Sequence, residues 1–193
     1  ELRGDRYVIN GTKIWISGAG MAKWGIVFAR VGDSKSREGI TSFIVDKSRK
    51  GISLSRIPVI RSYSPYEVHF NDYEVPVEDR LGEEGKGFKF AEEWLIHARP
   101  PYAAATIGIA QAALELAIAW AKERKVFGSH LSDKQAIQWM IADSEVELRA
   151  ARLLVYQAAW NADLGRDIKV DASIAKVYGT ETAGRVVDRC IQI

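Results

Sequence analysis

The chain has 193 residues, 47% of them apolar and 27% charged, with a formal net charge of +2, which is enough material for one large or two modest globular domains with real cores. The basic clusters are brief and no run of like charges occurs, so neither a nucleic-acid stripe nor a polybasic membrane patch is indicated. Cys190 is the only cysteine, which excludes an intramolecular disulfide and a cysteine-based zinc cluster, reads as a small buried apolar residue and fits a reducing compartment.

The first residue is Glu and a strand begins at once, with no signal peptide or transit segment, so the sequence reads as an excerpt. Val8, Ile9, Ile14 and Ile16 are β-branched and flank Asn10-Gly11, the strongest short hairpin signal, so residues 7 to 17 are expected to form a hairpin. Trp15 and Ser17 are two apart on a strand and so project from one face, a broad ring beside a hydroxyl. On these residues alone Trp15 reads as ordinary core and Ser17 as an exposed strand end, although the pair has the makings of a floor for a planar ligand. Further strands are expected at Trp24 to Val31, Thr41 to Val45, Ile52 to Ser55, Glu67 to Phe70 and Tyr73 to Val75. Residues 1–78 are therefore read as a small all-β domain, a sandwich or partly closed barrel.

After Pro76 the period changes. Gly82, Gly85 and Gly87 lack the spacing of a dinucleotide fingerprint and are read as a linker. Residues 79–193 are then expected to form an antiparallel helical bundle, left partial at the end of the sequence, which makes the whole an α+β chain. The first helix runs from Phe88 to Arg124 and must kink or restart at Pro100-Pro101, where proline removes a backbone donor. It carries two apolar stripes, one of Ile107, Ala110, Leu114, Ala117 and Ala121 and one of Ile109, Ala113, Leu116 and Trp120, and is read as packed on both sides. Thr106, Gln111 and Glu115 interrupt its apolar run, so it reads as a buried helix and not as a membrane span. Ser132 to Gln135 has the form of a capping box opening the second helix, which stops near Gly165. The third helix has a stripe of small residues through Ala172, Ala175, Gly179 and Ala183, and three such helices want a fourth.

Asn10-Gly11-x-Lys13-x-Trp15-Ile16-Ser17 in the β region and Glu123-Arg124-x-x-Phe127-Gly128 in the helical region, in that order, resemble the acyl-CoA dehydrogenase family. Gly39-Ile40-Thr41-x-Phe43-Ile44-Val45, Phe70-Asn71-Asp72-x-x-Val75-Pro76 and Leu81-Gly82-Glu83-Glu84-Gly85-x-Gly87-Phe88 extend the resemblance over the chain. It implies non-covalently bound FAD and α,β-dehydrogenation of an acyl-CoA thioester. Trp15 would lie against the flavin ring, and the Ser17 hydroxyl would meet the flavin N5 region. Arg124 would reach the FAD pyrophosphate of a neighbouring subunit, with Phe127 and Gln135 beside the adenosine half, in a homodimer or homotetramer. The planar fork of Arg suits phosphate oxygens, whereas Arg124 also reads as a solvated helix-end cation and Gln135 as part of the capping box.

Arg99 matches an arginine near the family's acyl-CoA site. Ile96 stands where many members have an Asp that contacts the pantetheine arm, and Ala98 stands where one branch carries its catalytic Glu. No catalytic base is therefore assigned in this chain, and one is expected beyond Ile193. Glu92 and Glu93 read as a solvated face, and His97 as a structural or surface residue. Ser62 to Tyr66 is more aromatic than the corresponding stretch of many members. The resemblance also implies an electron-transfer flavoprotein as partner and a cytoplasmic location, or a mitochondrial matrix one in a eukaryote. Two relatives of that reading are an oxidase passing electrons to oxygen and a DNA-associated member, the latter disfavoured by the near-neutral charge.

Overall fold

The computed structural model describes residues 1–60 and 63–193, which form two compact units, Glu1–Glu92 and Glu93–Ile193. The strands of the first unit are β1 (Leu2–Arg3), β2 (Arg6–Ile16), β3 (Trp24–Arg30), β4 (Ile40–Asp46), β5 (Ile52–Arg56), β6 (Tyr66–Pro76) and β7 (Arg80–Leu81). They make two antiparallel sheets, ordered β1-β2-β6-β5 and β3-β4-β7. Tyr7, Ile9, Val68, Phe70, Tyr73 and Val75 of the first sheet meet Val27, Phe43 and Val45 of the second in one core, the sandwich expected from alternating apolar positions.

The expected hairpin at Asn10-Gly11 does not form. β2 runs straight through both residues and pairs along its length with β6, and the ladder shifts register between Ile9 and Gly11 and again between Lys13 and Ile16. The Asn side chain explains the difference: Asn10 Nδ2 donates to Asp72 Oδ1 at 3.0 Å and the Asp72 amide donates to Asn10 Oδ1 at 2.7 Å. Asn10 thus bridges two strands at a bulge, and the left-handed backbone expected of a turn sits at Gly11 and at Asp72. Glu67 to Phe70 and Tyr73 to Val75 are accordingly one strand, β6, bent at Asp72.

Residues 79 to 92 belong to the β unit, so the compact division falls after Glu92, fourteen positions beyond residue 78. Gly85 and Gly87 dock this stretch onto the β unit, whereas Gly82 has φ +71° and nothing within 4 Å of its Cβ position. The Gly85 amide donates to Thr41 Oγ1 at 2.9 Å, and a Cβ on Gly87 would stand 2.7 Å from the Ser42 amide nitrogen.

The helices are α1 (Gly87–Glu123), α2 (Gln135–Asp163) and α3 (Lys169–Gln192), with a two-residue hairpin of β8 (Lys125–Val126) and β9 (Ser129–His130) between α1 and α2. α1 continues through Pro100 and Pro101 without restarting. In the second unit Ile107, Ala110 and Leu114 of α1, Leu148, Ala151 and Val155 of α2, and Ala175, Ala183 and Val186 of α3 form the core. Gly179 lets α3 approach closely, since a Cβ there would lie 3.1 Å from that of Ala103. Asn161 of α2 donates to Asp171 of α3 while Glu147 of α2 accepts from Arg185 and Arg189 of α3, so α2 and α3 run antiparallel; Arg152 of α2 also donates to Gln111 of α1, and Arg99 of α1 to Ser173 of α3.

The second apolar stripe of α1 is not packed: Ile109, Leu116 and Trp120 are exposed in this chain. By length and composition alone α1 could cross a bilayer, a test that the core helix of a soluble protein also passes. The end of α2 follows the expected pattern, with Gly165 at φ +68°, its amide donating to Ala162 O and the Arg166 amide to Asn161 O, a Schellman cap. The start differs from expectation. A 3-10 turn over Leu131–Asp133 precedes α2, and the Asp133 carboxylate, not Ser132, accepts from the His130 amide at 3.0 Å.

Candidate functional site

Two sets of residues carry the functional reading, one on each unit. In the β unit the second register shift of β2 places one extra residue between Lys13 and Ile16, and Trp15 takes it up with φ +65°. A left-handed aromatic residue in a strand is strained and is held by its surroundings. The bulge turns the indole out of the ladder, leaving it 61% exposed. Strict alternation is therefore broken at Trp15, yet Trp15 and Ser17 still line one cavity of about 290 Å³, for a reason the strand period does not contain.

Val59, Ile60, Tyr63 and Pro65 complete that cavity. They lie in the connection between β5 and β6, and they arrive there because Ile16 of β2 pairs with Tyr66, the first residue of β6. The connection is anchored near its base: the Ile57 amide donates to Pro65 O at 2.9 Å, and Arg56 Nε donates to the buried Ser64 hydroxyl at 2.9 Å. On the other side, the turn after Ser17 packs against Tyr66 so closely that a Cβ on Gly20 would lie 2.5 Å from its ring. Lys47 Nζ holds that turn by donating to the carbonyls of Ala19 and Gly20. Tyr63 and Pro65 belong to the aromatic stretch that the sequence singled out, whereas Val59 and Ile60 carry no signal in the sequence and are revealed by the β2–β6 register. The expectation on Ser62 falls on a residue outside those described.

In the helical unit, Arg124, Phe127 and Gln135 all lie on the connection between α1 and α2. Phe127 and Gly128 have φ of +50° and +78°, a type I′ turn that closes the β8–β9 hairpin and leaves Phe127 fully exposed. The Arg124 carbonyl accepts from the Leu131 amide at 2.9 Å, tying the hairpin to the end of α1, while its guanidinium lies 5.9 Å from the Trp120 ring centroid. Gln135 is the exposed first residue of α2. Arg99 is half-buried, and its Nη1 donates to Ser173 Oγ at 2.9 Å. Ser173 passes the contact on to the Lys169 carbonyl at 2.7 Å, so Arg99 is fixed to α3 by one donor and keeps four for other partners. No group of three or more His, Cys, Asp or Glu that could hold a metal occurs among the described residues.

An aromatic floor beside a hydroxyl suits a flat heteroaromatic group with one polar edge, and an exposed guanidinium next to an exposed ring suits a phosphate joined to an aromatic base. The donor set therefore fits FAD. Comparison with known proteins agrees with that chemistry. Residues 1–73 match the acyl-CoA dehydrogenase middle domain, and residues 85–193 match the acyl-CoA dehydrogenase C-terminal domain. The chain is 41% identical to the short-chain specific acyl-CoA dehydrogenase of Clostridium acetobutylicum, over 100% of this chain and 52% of that protein. It is 39% identical to CarC, a subunit of the caffeyl-CoA reductase-Etf complex of Acetobacterium woodii, over 98% of this chain and 51% of that one. The solved butyryl-CoA dehydrogenase of Megasphaera elsdenii superposes with a TM-score of 0.93 at 39% identity, over 98% of this chain and 51% of that one. Solved structures sharing the fold include an FAD complex. The chain belongs to the acyl-CoA dehydrogenase family, and it spans about half the length of the curated relatives it matches.

Proposed function

We propose that this chain supplies the middle portion and part of the carboxy-terminal portion of an FAD-dependent dehydrogenase that desaturates an acyl-CoA thioester between its α and β carbons. The observation that carries the reading is the cavity shared by Trp15 and Ser17, in a chain whose two units match the family's two domains. Bound FAD supplies the acceptor for the hydride that leaves the β carbon. Trp15 offers a flat apolar floor that excludes water, and the Ser17 hydroxyl donates a hydrogen bond toward the N5 edge. Arg124 forks onto the pyrophosphate of the cofactor held by a neighbouring subunit, with Phe127 and Gln135 at the adenosine half, which makes a homodimer or homotetramer the functional unit. Arg99, braced by Ser173, orients the acyl-CoA from α1.

Ala98 has a methyl group where one branch of the family carries its base, and a methyl group accepts no proton. Abstraction of a proton α to a thioester needs a carboxylate in reach of it, so the base is assigned to a segment outside these residues. An electron-transfer flavoprotein is the proposed acceptor, supported by the similarity to the Etf-complex subunit. Transfer to oxygen is the alternative, separated from it by comparing aerobic with anaerobic turnover. A cytoplasmic or matrix location accords with the single free cysteine, Cys190.

The test is FAD retention by the full-length protein. Arg124→Ala is expected to lose FAD on dialysis and to melt at lower temperature, because a ligand that binds only the folded state stabilises it by mass action. Arg124→Ala protein that stays fully flavinated would overturn the assignment. For the base, each Glu of the outlying segment is replaced by Gln and flavin bleaching by acyl-CoA is followed anaerobically. Bleaching that survives every such change but disappears in Glu92→Gln or Glu93→Gln would return the base to α1.

A further inference from the structure

We propose that Tyr63 is a cofactor-contacting residue, a second aromatic wall of the flavin cradle opposite the polypeptide segment that carries Trp15; the inference rests on the flavin reading of that cavity. Three observations carry it. Tyr63 lines the same cavity as Trp15 and Ser17, and it comes from a different segment, the β5–β6 connection. It is 52% exposed, so its ring is not spent on the protein core. Its position is nevertheless fixed, because the next residue, Ser64, is buried and held by Arg56, and Pro65 is hydrogen-bonded back to Ile57.

The chemistry of the wall is selective. Among the described residues, Trp15, Val59, Ile60, Tyr63 and Pro65 present rings and aliphatic groups to the cavity, and the side-chain polar groups besides the indole N–H are the hydroxyls of Ser17 and Tyr63. A charged or fully hydrated ligand would lose its water there without replacement hydrogen bonds, whereas a flat ring system with one polar edge would not. Two aromatic side chains on separate segments also make the cradle adjustable. The flavin-facing surface of Trp15 is set by the β2 bulge, and that of Tyr63 by the anchors of the β5–β6 connection. Tyr63 therefore acts on binding and on the electronic environment of the ring, not on proton transfer.

The experiment uses the full-length protein stripped of FAD and titrated with FAD, in parent, Trp15→Ala, Tyr63→Ala and Tyr63→Phe forms. Titration gives the dissociation constant, and flavin fluorescence and reduction potential are read on the reloaded proteins. Removal of an aromatic contact predicts that Tyr63→Ala weakens FAD binding roughly three- to tenfold. It also predicts brighter flavin fluorescence and a displaced potential, with Tyr63→Phe close to the parent. Because Tyr63 is exposed, the variant is expected to keep the parent's melting behaviour without FAD, which separates cofactor contact from a folding defect. Unchanged affinity, fluorescence and potential in Tyr63→Ala, with Trp15→Ala impaired, would overturn the role of Tyr63 and leave the flavin reading standing. Equal losses in Tyr63→Phe and Tyr63→Ala would overturn the claim that the ring makes the contact. A parent protein that takes up no FAD would remove the flavin reading and this inference together.

Discussion

The Tyr7 phenol donates a 2.5 Å hydrogen bond to the Glu84 carboxylate, 77 positions further along the chain, and receives one of 3.1 Å from Arg80. It fastens the loop before α1 to the second strand of the sandwich, and the ring packs on Phe43 at a centroid distance of 4.8 Å. Tyr7→Phe keeps the ring and deletes the hydroxyl, so it is expected to destabilise the β unit by about 1–3 kcal/mol, measured by denaturant unfolding. Burial first, and Glu84 second, push the Tyr7 phenol above its ordinary range. The folded state therefore favours the protonated phenol: its contribution is complete below about pH 10 and is lost as pH rises through the folded value. Tyr7→Phe should flatten that alkaline loss.

Gly87 and Gly108 lie on one helix and make opposite predictions. Gly87→Ala would put a Cβ against the backbone of Thr41 and Ser42, which cannot withdraw like a flexible side chain, so a loss of about 2 kcal/mol or more is expected. Gly108 has nothing within 4 Å of its Cβ position, and Gly108→Ala should stabilise α1 by about 0.5–1 kcal/mol through helix propensity. Thermal unfolding of the two variants beside the parent checks both. If Gly108→Ala destabilises the full-length protein instead, a partner packs closely on that face of α1.

Phe127 holds a left-handed conformation with its ring fully exposed, so in isolation it costs stability twice, by strain and by exposed apolar area. Asn tolerates that backbone, and Phe127→Asn is expected to raise the stability of the FAD-free protein by up to about 1 kcal/mol while weakening FAD retention. Melting curves with and without FAD would separate the effects. A variant no more stable without FAD would count against the strain.

Glu147 of α2 accepts from Arg185 and Arg189 of α3 at 3.0 and 2.8 Å. Burial alone would raise its acidity range, but the two guanidinium groups together hold it below the usual carboxylate value. Its contribution is therefore present above about pH 4.3 and is lost as pH falls through the lower folded value. Glu147→Gln should cost about 1 kcal/mol near neutral pH, since Arg185 is half-exposed and screened, and the difference from the parent should shrink in acid. A constant difference from pH 7 to pH 3 would show that the ion pairs contribute nothing.

Most elements were legible because they depend on local period and punctuation. The Ile107–Ala121 stripe, the Gly165 cap and the pairing of Trp24–Arg30 with Ile40–Asp46 need nothing beyond neighbouring residues. Asn10-Gly11 misled because the same pair that closes a turn also fits a bulge, and its partner, Asp72, lies on the far side of the sandwich sequence. The glycines at 85 and 87 misled for a similar reason: what they allow is close approach to β4 and the segment before it, which sequence spacing does not encode. For the candidate site, Trp15 and Ser17 came from the motif and Tyr63 from a stretch that stands out for its aromatics, whereas Val59 and Ile60 required the register of β2 on β6.

The two irregularities of that register also bear on how the chain tolerates changes of length. β6 carries one residue too many opposite Ile9–Gly11, and β2 carries one too many opposite Val68–Tyr66. Each surplus residue, near Asp72 and at Trp15, adopts the left-handed backbone and stands outside the ladder. Excision of Trp15 from the chain would bring Ile14 opposite Glu67 and leave Ile16 opposite Tyr66, a flush pairing with no slip of the inward face. The indole that floors the cavity is thus an insertion into a strand complete without it, and the site could be gained or erased by a single codon at little expense to the sheet.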